Sequence, residues 1–235
     1  MMHIYEGTLI KEGQKIPFVV QPLTMADVAR ILEVQDQVIS HLNGKNTLQP
    51  LTEEEFQYIL EGNGLMIGAF VDGKLIAFRA LLVPVMDEEH LGLDIGLGES
   101  ELSKVIYQEI SNVLPDYRGN QLQKTLAGLI MKELSKNDHG YRYVCCTVAP
   151  FNIPSLKDKF SQGMRIAALK EKYGGSLRYI FVMDLEESAE PNWSESMFIP
   201  MGDTEAQQKK LSEGWRGIRM EVRNGELSVE YCRVK

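Results

Sequence analysis

Tyr117-Arg118-Gly119-Asn120-Gln121-Leu122-Gln123-Lys124 joins a strand-like run to the start of an amphipathic helix. A turn of this kind aims several backbone N–H groups at one point, and the helix dipole adds partial positive charge there. That chemistry suits a phosphate or pyrophosphate, and hence a cofactor with a nucleotide tail. Arg118 either contacts such a phosphate or only solvates the turn, and its place at a helix start favours the phosphate. Glu109, on the strand before the turn, reads from its position alone as a solvent-facing strand glutamate.

Positioning such a turn needs a folded core. The chain has 235 residues, 44% of them hydrophobic and 25% charged, which are ordinary globular values. The net charge is -8 and the pI about 5.2. A general nucleic-acid binder should be basic, so that role is set aside. The clusters Glu53-Glu54-Glu55 and Asp87-Glu88-Glu89 suit a cationic small molecule, with a solvated acidic surface as the commoner explanation. Cys145, Cys146 and Cys232 form no disulfide framework and no CxxC pair. Cys145 and Cys146 are adjacent on a strand-like run and point to opposite faces; all three are expected to be reduced structural thiols in a cytoplasmic protein. The first residues show no charged-then-apolar signal pattern, no apolar run approaches the roughly 18 residues a membrane span needs, and neither a signal peptide nor a membrane span is expected. The four histidines show no metal-ligand spacing, and no metal is expected. GxSxG, GxxxxGK[ST] and HExxH are all absent.

Residues 17–22 read as a strand, followed by a helix capped by Thr24 with Met25, Val28, Ile31, Leu32, Val38 and Ile39 as its apolar positions. Thr52 and Glu55 form a capping box for a second helix. Strands over 65–71 and 74–83 flank the hairpin turn Asp72-Gly73. Residues 87–104 read as a loop and 105–114 as a strand. The helix after Arg118 carries Leu122, Leu126, Leu129, Ile130 and Leu134 on one stripe and ends near Asn137. A strand over 141–148, a helix over 152–162 closed by Gly163, and strands over 164–172 and 177–185 follow. Acid, Pro and Ser then accumulate over 186–200, reading as a linker. A short polar helix starts at Asp203 or Thr204 and runs through Leu211. Strands over 218–223 and 227–234 flank Asn224-Gly225. Strand-helix-strand units mixed with hairpins imply an α/β (α+β) fold: a mixed sheet with helices on both faces.

Residues 113–123, Val-Leu-Pro-Asp-Tyr-Arg-Gly-Asn-Gln-Leu-Gln, resemble the acetyl-CoA-binding motif of the GNAT acyltransferases, an apolar-x-Pro-x-Tyr-Arg-Gly-x-Gly-x-Gly/Ala run. A second stretch, Val148 to Ser155 with Gly163-Met164 after the helix, is similar to the family's Asn-x-x-Ser…Gly-Phe segment. The element order resembles the family over about 17–185, and the motifs over about 113–164. The resemblance implies a mostly antiparallel GNAT sheet over 1–185, with 186–235 as a C-terminal extension of linker, helix and hairpin.

It also implies acetyl-CoA as co-substrate, held in a gap between the fourth and fifth strands. Backbone N–H groups of Arg118, Gly119, Asn120, Gln121, Leu122, Gln123 and Lys124 would hold the pyrophosphate. The strand around Ser111, Val113 and Leu114 would hold the pantetheine arm, and an N–H near Val113 would polarise the thioester carbonyl. Asn152 and Ser155 would meet the arm from the other side; alone, Asn152 also reads as a helix N-cap. The resemblance further implies a general-base role for Glu109, since some members use a carboxylate there, directly or through water. Two departures stand out. Gln121 and Gln123 occupy glycine positions of the turn. Lys159 stands where many members carry a tyrosine that protonates the departing thiolate, and its unperturbed pKa near 10.4 makes it a different acid. Tyr173 and Tyr179 are alternative donors, while Tyr107 and Tyr117 read as packing residues. The expected function is N-acetyl transfer to a primary amine of a small molecule or peptide. The alternative is a catalytically weak or inactive CoA-binding or interaction module. The C-terminal hairpin reads as a homodimer contact or as cover for the first domain's own edge. The acceptor pocket would come from about 24–62 and 86–104.

Overall fold

A computed structural model describes residues 3–41, 49–136, 139–187 and 192–234. In chain order the elements are β1 (Tyr5–Lys11), β2 (Gln14–Pro22), α1 (Val28–Ser40), α2 (Glu53–Leu60), β3 (Gly64–Val71), β4 (Lys74–Leu82), α3 (Leu91–Asp94), α4 (Glu99–Leu102) and β5 (Val105–Val113). They continue with α5 (Leu122–Leu134), β6 (Tyr143–Val148), α6 (Ile153–Ser161), β7 (Arg165–Lys172), β8 (Ser176–Asp184), β9 (Trp193–Pro200), α7 (Thr204–Ser212), β10 (Arg216–Arg223) and β11 (Glu226–Val234). They form two compact units. One comprises Met1–Pro84 and Tyr107–His139, the other Val85–Ile106 and Gly140–Lys235.

In the first unit, β1 to β5 pair in sequence order, every neighbour antiparallel. Tight turns set this order. Glu12-Gly13 and Asp72-Gly73 both have positive φ at the two central positions, the form that matches the strand twist. Helices cover both faces of β4. Phe78 meets Phe56 of α2 edge-to-face, with ring centroids 5.8 Å apart. Its neighbour Arg79 points the other way, its guanidinium 3.4 Å from the Gln123 carbonyl at the start of α5. Arg79 is fully buried, and its other terminal nitrogen donates to Gln108 Oε1 at 2.6 Å. Burying a phenylalanine contributes roughly 2 kcal/mol, and cutting Phe78 to alanine would cost about 3–5 kcal/mol because the cavity adds to the lost transfer term.

The second unit carries the strand order β6-β8-β7-β10-β11-β9, again antiparallel at each pairing. Asn224-Gly225 forms the expected hairpin turn, with φ of 50° and 81°. Gln207 of α7 knits the unit together. Its Oε1 accepts from Tyr179 of β8 (2.6 Å) and Tyr231 of β11 (2.8 Å). Its Nε2 donates to the Pro200 and Met201 carbonyls. A buried amide so fully bonded fixes one arrangement of the elements around it.

Mixed α/β architecture with antiparallel sheets agrees with the sequence reading, but three details differ. The run before 17 is a strand, β1, because Glu12-Gly13 closes a hairpin. The stretch 87–104, expected as a loop, folds into α3 and α4 and is tied to β7. Lys172 reaches Asp94 (2.8 Å) and Glu89 (2.9 Å), and Lys170 reaches Asp94 (2.9 Å). The expected linker contains β9, paired with β11 from Trp193 to Pro200. The expected helix end near Asn137 lies outside the described residues; the helix itself runs to Leu134.

Candidate active site

The turn before α5 owes its shape to two left-handed residues. Gly119 has φ 82° and Gln121, the helix N-cap, φ 56°. Glycine adopts that region freely, whereas a residue with a Cβ loses about 1–2 kcal/mol there. No side chain caps α5. The Thr125 N–H bonds to the Gln121 carbonyl at 2.9 Å, so the N–H groups of Leu122, Gln123 and Lys124 precede the first intrahelical bond. These donors, the helix dipole and the exposed Arg118 and Lys124 converge on the N-terminus of α5. Tyr117 is buried and packs against the turn, as expected of a packing residue.

The turn has a further anchor that sequence reasoning missed. Asn120 Oδ1 accepts from the Ile10 N–H of β1 at 2.7 Å, and its Nδ2 donates to the Ile10 and Tyr117 carbonyls at 3.0 and 3.1 Å. Lys11 lies 4.6 Å from the Tyr117 ring centroid and 3.8 Å from Asp116.

On β5, Ala80 pairs with Ile110 but Leu81 pairs with Gln108, leaving Glu109 as the extra residue of a β-bulge. Bulges re-aim side chains and are frequent beside active sites. The Glu109 side chain is half-buried. Removal of water from around its carboxyl, with a smaller contribution from the Glu55 carboxylate at the start of α2, pushes its pKa up to about 7. Further along, the Leu114 N–H donates to the Ile76 carbonyl at 2.9 Å. Antiparallel alternation then turns the N–H groups of Val113 and Ser111 away from β4. Ser111 Oγ and Asn112 Nδ2 are buried with no hydrogen-bond partner among the described residues. Leaving such groups unpaired costs about 1–3 kcal/mol each, which marks this stretch as unusual for a merely structural strand.

In the second unit, Asn152 is the N-cap of α6, its Oδ1 accepting from the Ser155 N–H at 3.3 Å. Lys159 lies one turn further, buried, its ammonium 3.5 Å from Asp158 Oδ2. Tyr179 is fully buried and donates its hydroxyl proton to Gln207; burial pushes its phenol far up. Tyr173 is exposed at the β7–β8 turn with φ 54°, its hydroxyl 3.1 Å from Thr147 Oγ1. The three cysteines are buried and form no disulfide among the described residues, and burial raises the Cys145 thiol. Glu109, Ser111, Val113, Leu114 and Arg118–Lys124 therefore belong to the first unit, and Asn152, Ser155 and Lys159 to the second.

No family model matches this sequence, and no curated protein matches it in sequence. Solved structures do match in fold. The ribosomal-protein-S18-alanine N-acetyltransferase from Escherichia coli is 17% identical with a TM-score of 0.54, covering 76% of this chain and 99% of that one. An acetyltransferase of the GNAT family from Streptococcus pneumoniae is 15% identical with a TM-score of 0.54, covering 72% and 99%. NAA60 from Arabidopsis thaliana, in complex with acetyl-CoA, is 19% identical with a TM-score of 0.53, covering 72% and 98%.

Proposed function

We propose that this chain, which has the GNAT fold, is an acetyl-CoA-dependent N-acetyltransferase acting on a primary amine of a small molecule or peptide. The observation that carries the reading is Glu109: a carboxyl in a β-bulge of β5 with a pKa of about 7, on the strand that leads into the uncapped turn. A base poised near the operating pH combines a useful ionised fraction with useful proton affinity. The residues present fit the co-substrate, since the uncapped N–H groups of α5 suit its pyrophosphate.

The amine nitrogen attacks the thioester carbonyl carbon directly in a ternary complex. Glu109, or a water it holds, takes the amine proton. The Val113 N–H, turned away from β4, donates to the carbonyl oxygen as charge develops there. The C–S bond breaks and the sulfur takes a proton, a role the resemblance gives to Lys159 or a tyrosine such as Tyr173. Ser111 and Leu114 support the pantetheine arm. The resemblance would add Asn152 and Ser155 to that arm, but the Asn152 oxygen already accepts from the Ser155 N–H as the cap of α6, so this reading gives the pair the capping role. Transfer is assigned to residues 1–185, with 186–235 as an extension that covers the edge of β7. The acidic balance leans towards a cationic acceptor.

A second reading is a CoA-binding or interaction module with little turnover. It is favoured by the Lys159–Asp158 contact, which occupies the ammonium, and by the strain at Gln121. Calorimetric titration with acetyl-CoA, followed by an amine panel on wild type and Glu109→Gln, separates the two. Binding with Glu109-dependent turnover supports the enzyme; binding without turnover on any amine supports the module.

A further inference from the structure

We infer that the Asn120 side chain, gripping the edge of β1, is the positioning device that holds the turn before α5 in its anion-receiving form despite a glutamine at a left-handed position. The inference rests on the turn being the phosphate site proposed above.

β1 is the end strand of the first unit's sheet, paired on one side with β2. Its outer edge has no neighbouring strand among the described residues. Asn120 engages it as a neighbouring strand would: Oδ1 accepts from the Ile10 N–H, and one Nδ2 proton goes to the Ile10 carbonyl. The second Nδ2 proton goes back to the Tyr117 carbonyl, inside the turn. Both amide protons and the oxygen are thus in use. Asn120 sits between the two left-handed residues, Gly119 and Gln121. The first needs no support. The second is disfavoured and uncapped, and a conformation of that kind persists only where its surroundings over-determine it. Bonds that tie residue 120 to β1 on one side and to residue 117 on the other supply that determination. Lys11 reinforces it by lying over the Tyr117 ring.

The competing explanation is that Asn120 merely caps an exposed edge strand. The two differ in what Gln121 does to them. If Asn120 stabilises the turn against the strain at 121, removing the strain removes the need for Asn120. If it only caps β1, its loss has the same effect whatever stands at 121.

The test is a double-mutant cycle of wild type, Asn120→Ala, Gln121→Gly and the double variant. Two quantities are read: backbone order parameters of residues 118–122 in the ligand-free protein, and the Kd for acetyl-CoA. Asn120→Ala is expected to lower the order parameters from about 0.85 to below about 0.7. It should weaken acetyl-CoA binding about tenfold and raise KM with kcat kept. In the Gln121→Gly background the same substitution should weaken binding by less than about threefold. Asn120→Asp keeps the acceptor for Ile10 but loses both donors, so its order parameters, rather than its affinity, should fall between; they serve if the alanine variant does not fold. Unchanged order, unchanged affinity or equal losses in both backgrounds would overturn the inference. If wild type fails to bind acetyl-CoA, the proposed function falls, and the order parameters of the four proteins still decide whether Asn120 holds the turn.

Discussion

At the start of α6, Asn152 folds its side-chain oxygen back onto the Ser155 N–H, and Pro154 removes a further donor. At the start of α5, Gln121 is left-handed, no side chain caps the helix, and the first-turn N–H groups stay open. Both helices follow a strand-to-turn transition, and both carry a stretch that resembles a cofactor-binding motif. One satisfies its own donors and the other leaves them for something else. α2 and α7 behave like α6, closed by Thr52 and Asp203. An uncapped N-terminus fixed by two left-handed residues is therefore the more informative feature, because no local structural need accounts for it.

The largest effect expected lies just upstream of that open terminus. Glu109→Gln should lower kcat by about 10²–10³-fold while leaving acetyl-CoA affinity nearly unchanged. The rate of wild type should climb with pH and level off above about 7, as the carboxyl ionises. Stability should move the opposite way. The folded pKa is raised, so the stabilisation of the protonated form is complete below the unfolded value and lost as pH rises through about 7. Glu109→Gln should therefore be more stable than wild type at pH 8, on the order of 2 kcal/mol, with the difference gone near pH 4. Equal stability at both pH values would remove the raised pKa from the account.

Next in size, Arg118→Glu places an anion at the open terminus and should weaken acetyl-CoA binding about 10–100-fold, less so at high salt. Asn152→Ala sharpens the comparison. A cap should cost about 1 kcal/mol of stability, read as a lower Tm, with affinity changed by less than about threefold. A tenfold affinity loss with no change in Tm would instead make Asn152 a cofactor contact and α6 the equal of α5. Smallest, Gln121→Gly should relieve the left-handed strain and raise stability by about 0.5–1 kcal/mol, since glycine's greater unfolded-state freedom offsets part of the relief.

Much of this arrangement could be read from the sequence because short-range chemistry encodes it. Asp72-Gly73 and Asn224-Gly225 announced their hairpins, and Thr52 with Glu55 announced α2. The stripe from Leu122 to Leu134 announced α5. What escaped depends on partners distant in the chain. β9 carries Ser194, Glu195 and Ser196 on a largely exposed strand, and only pairing with β11 makes it one. β1 was hidden by its polar, exposed positions at a sheet end. The bulge at Glu109 exists only in the register with β4, so no inspection of β5 alone finds it. The clasp of Asn120 on Ile10 spans 110 residues. Lys159 was identified by position, yet its contact with Asp158 shows only in three dimensions.

The most direct test of the difference between the two helices is amide hydrogen exchange with and without saturating acetyl-CoA. The N–H groups of Gly119 to Lys124 should exchange markedly more slowly in its presence, while Ser155, already bonded to Asn152, should change little. Unaltered exchange at Gly119 to Lys124 would contradict the assignment of this turn as the cofactor's anion site.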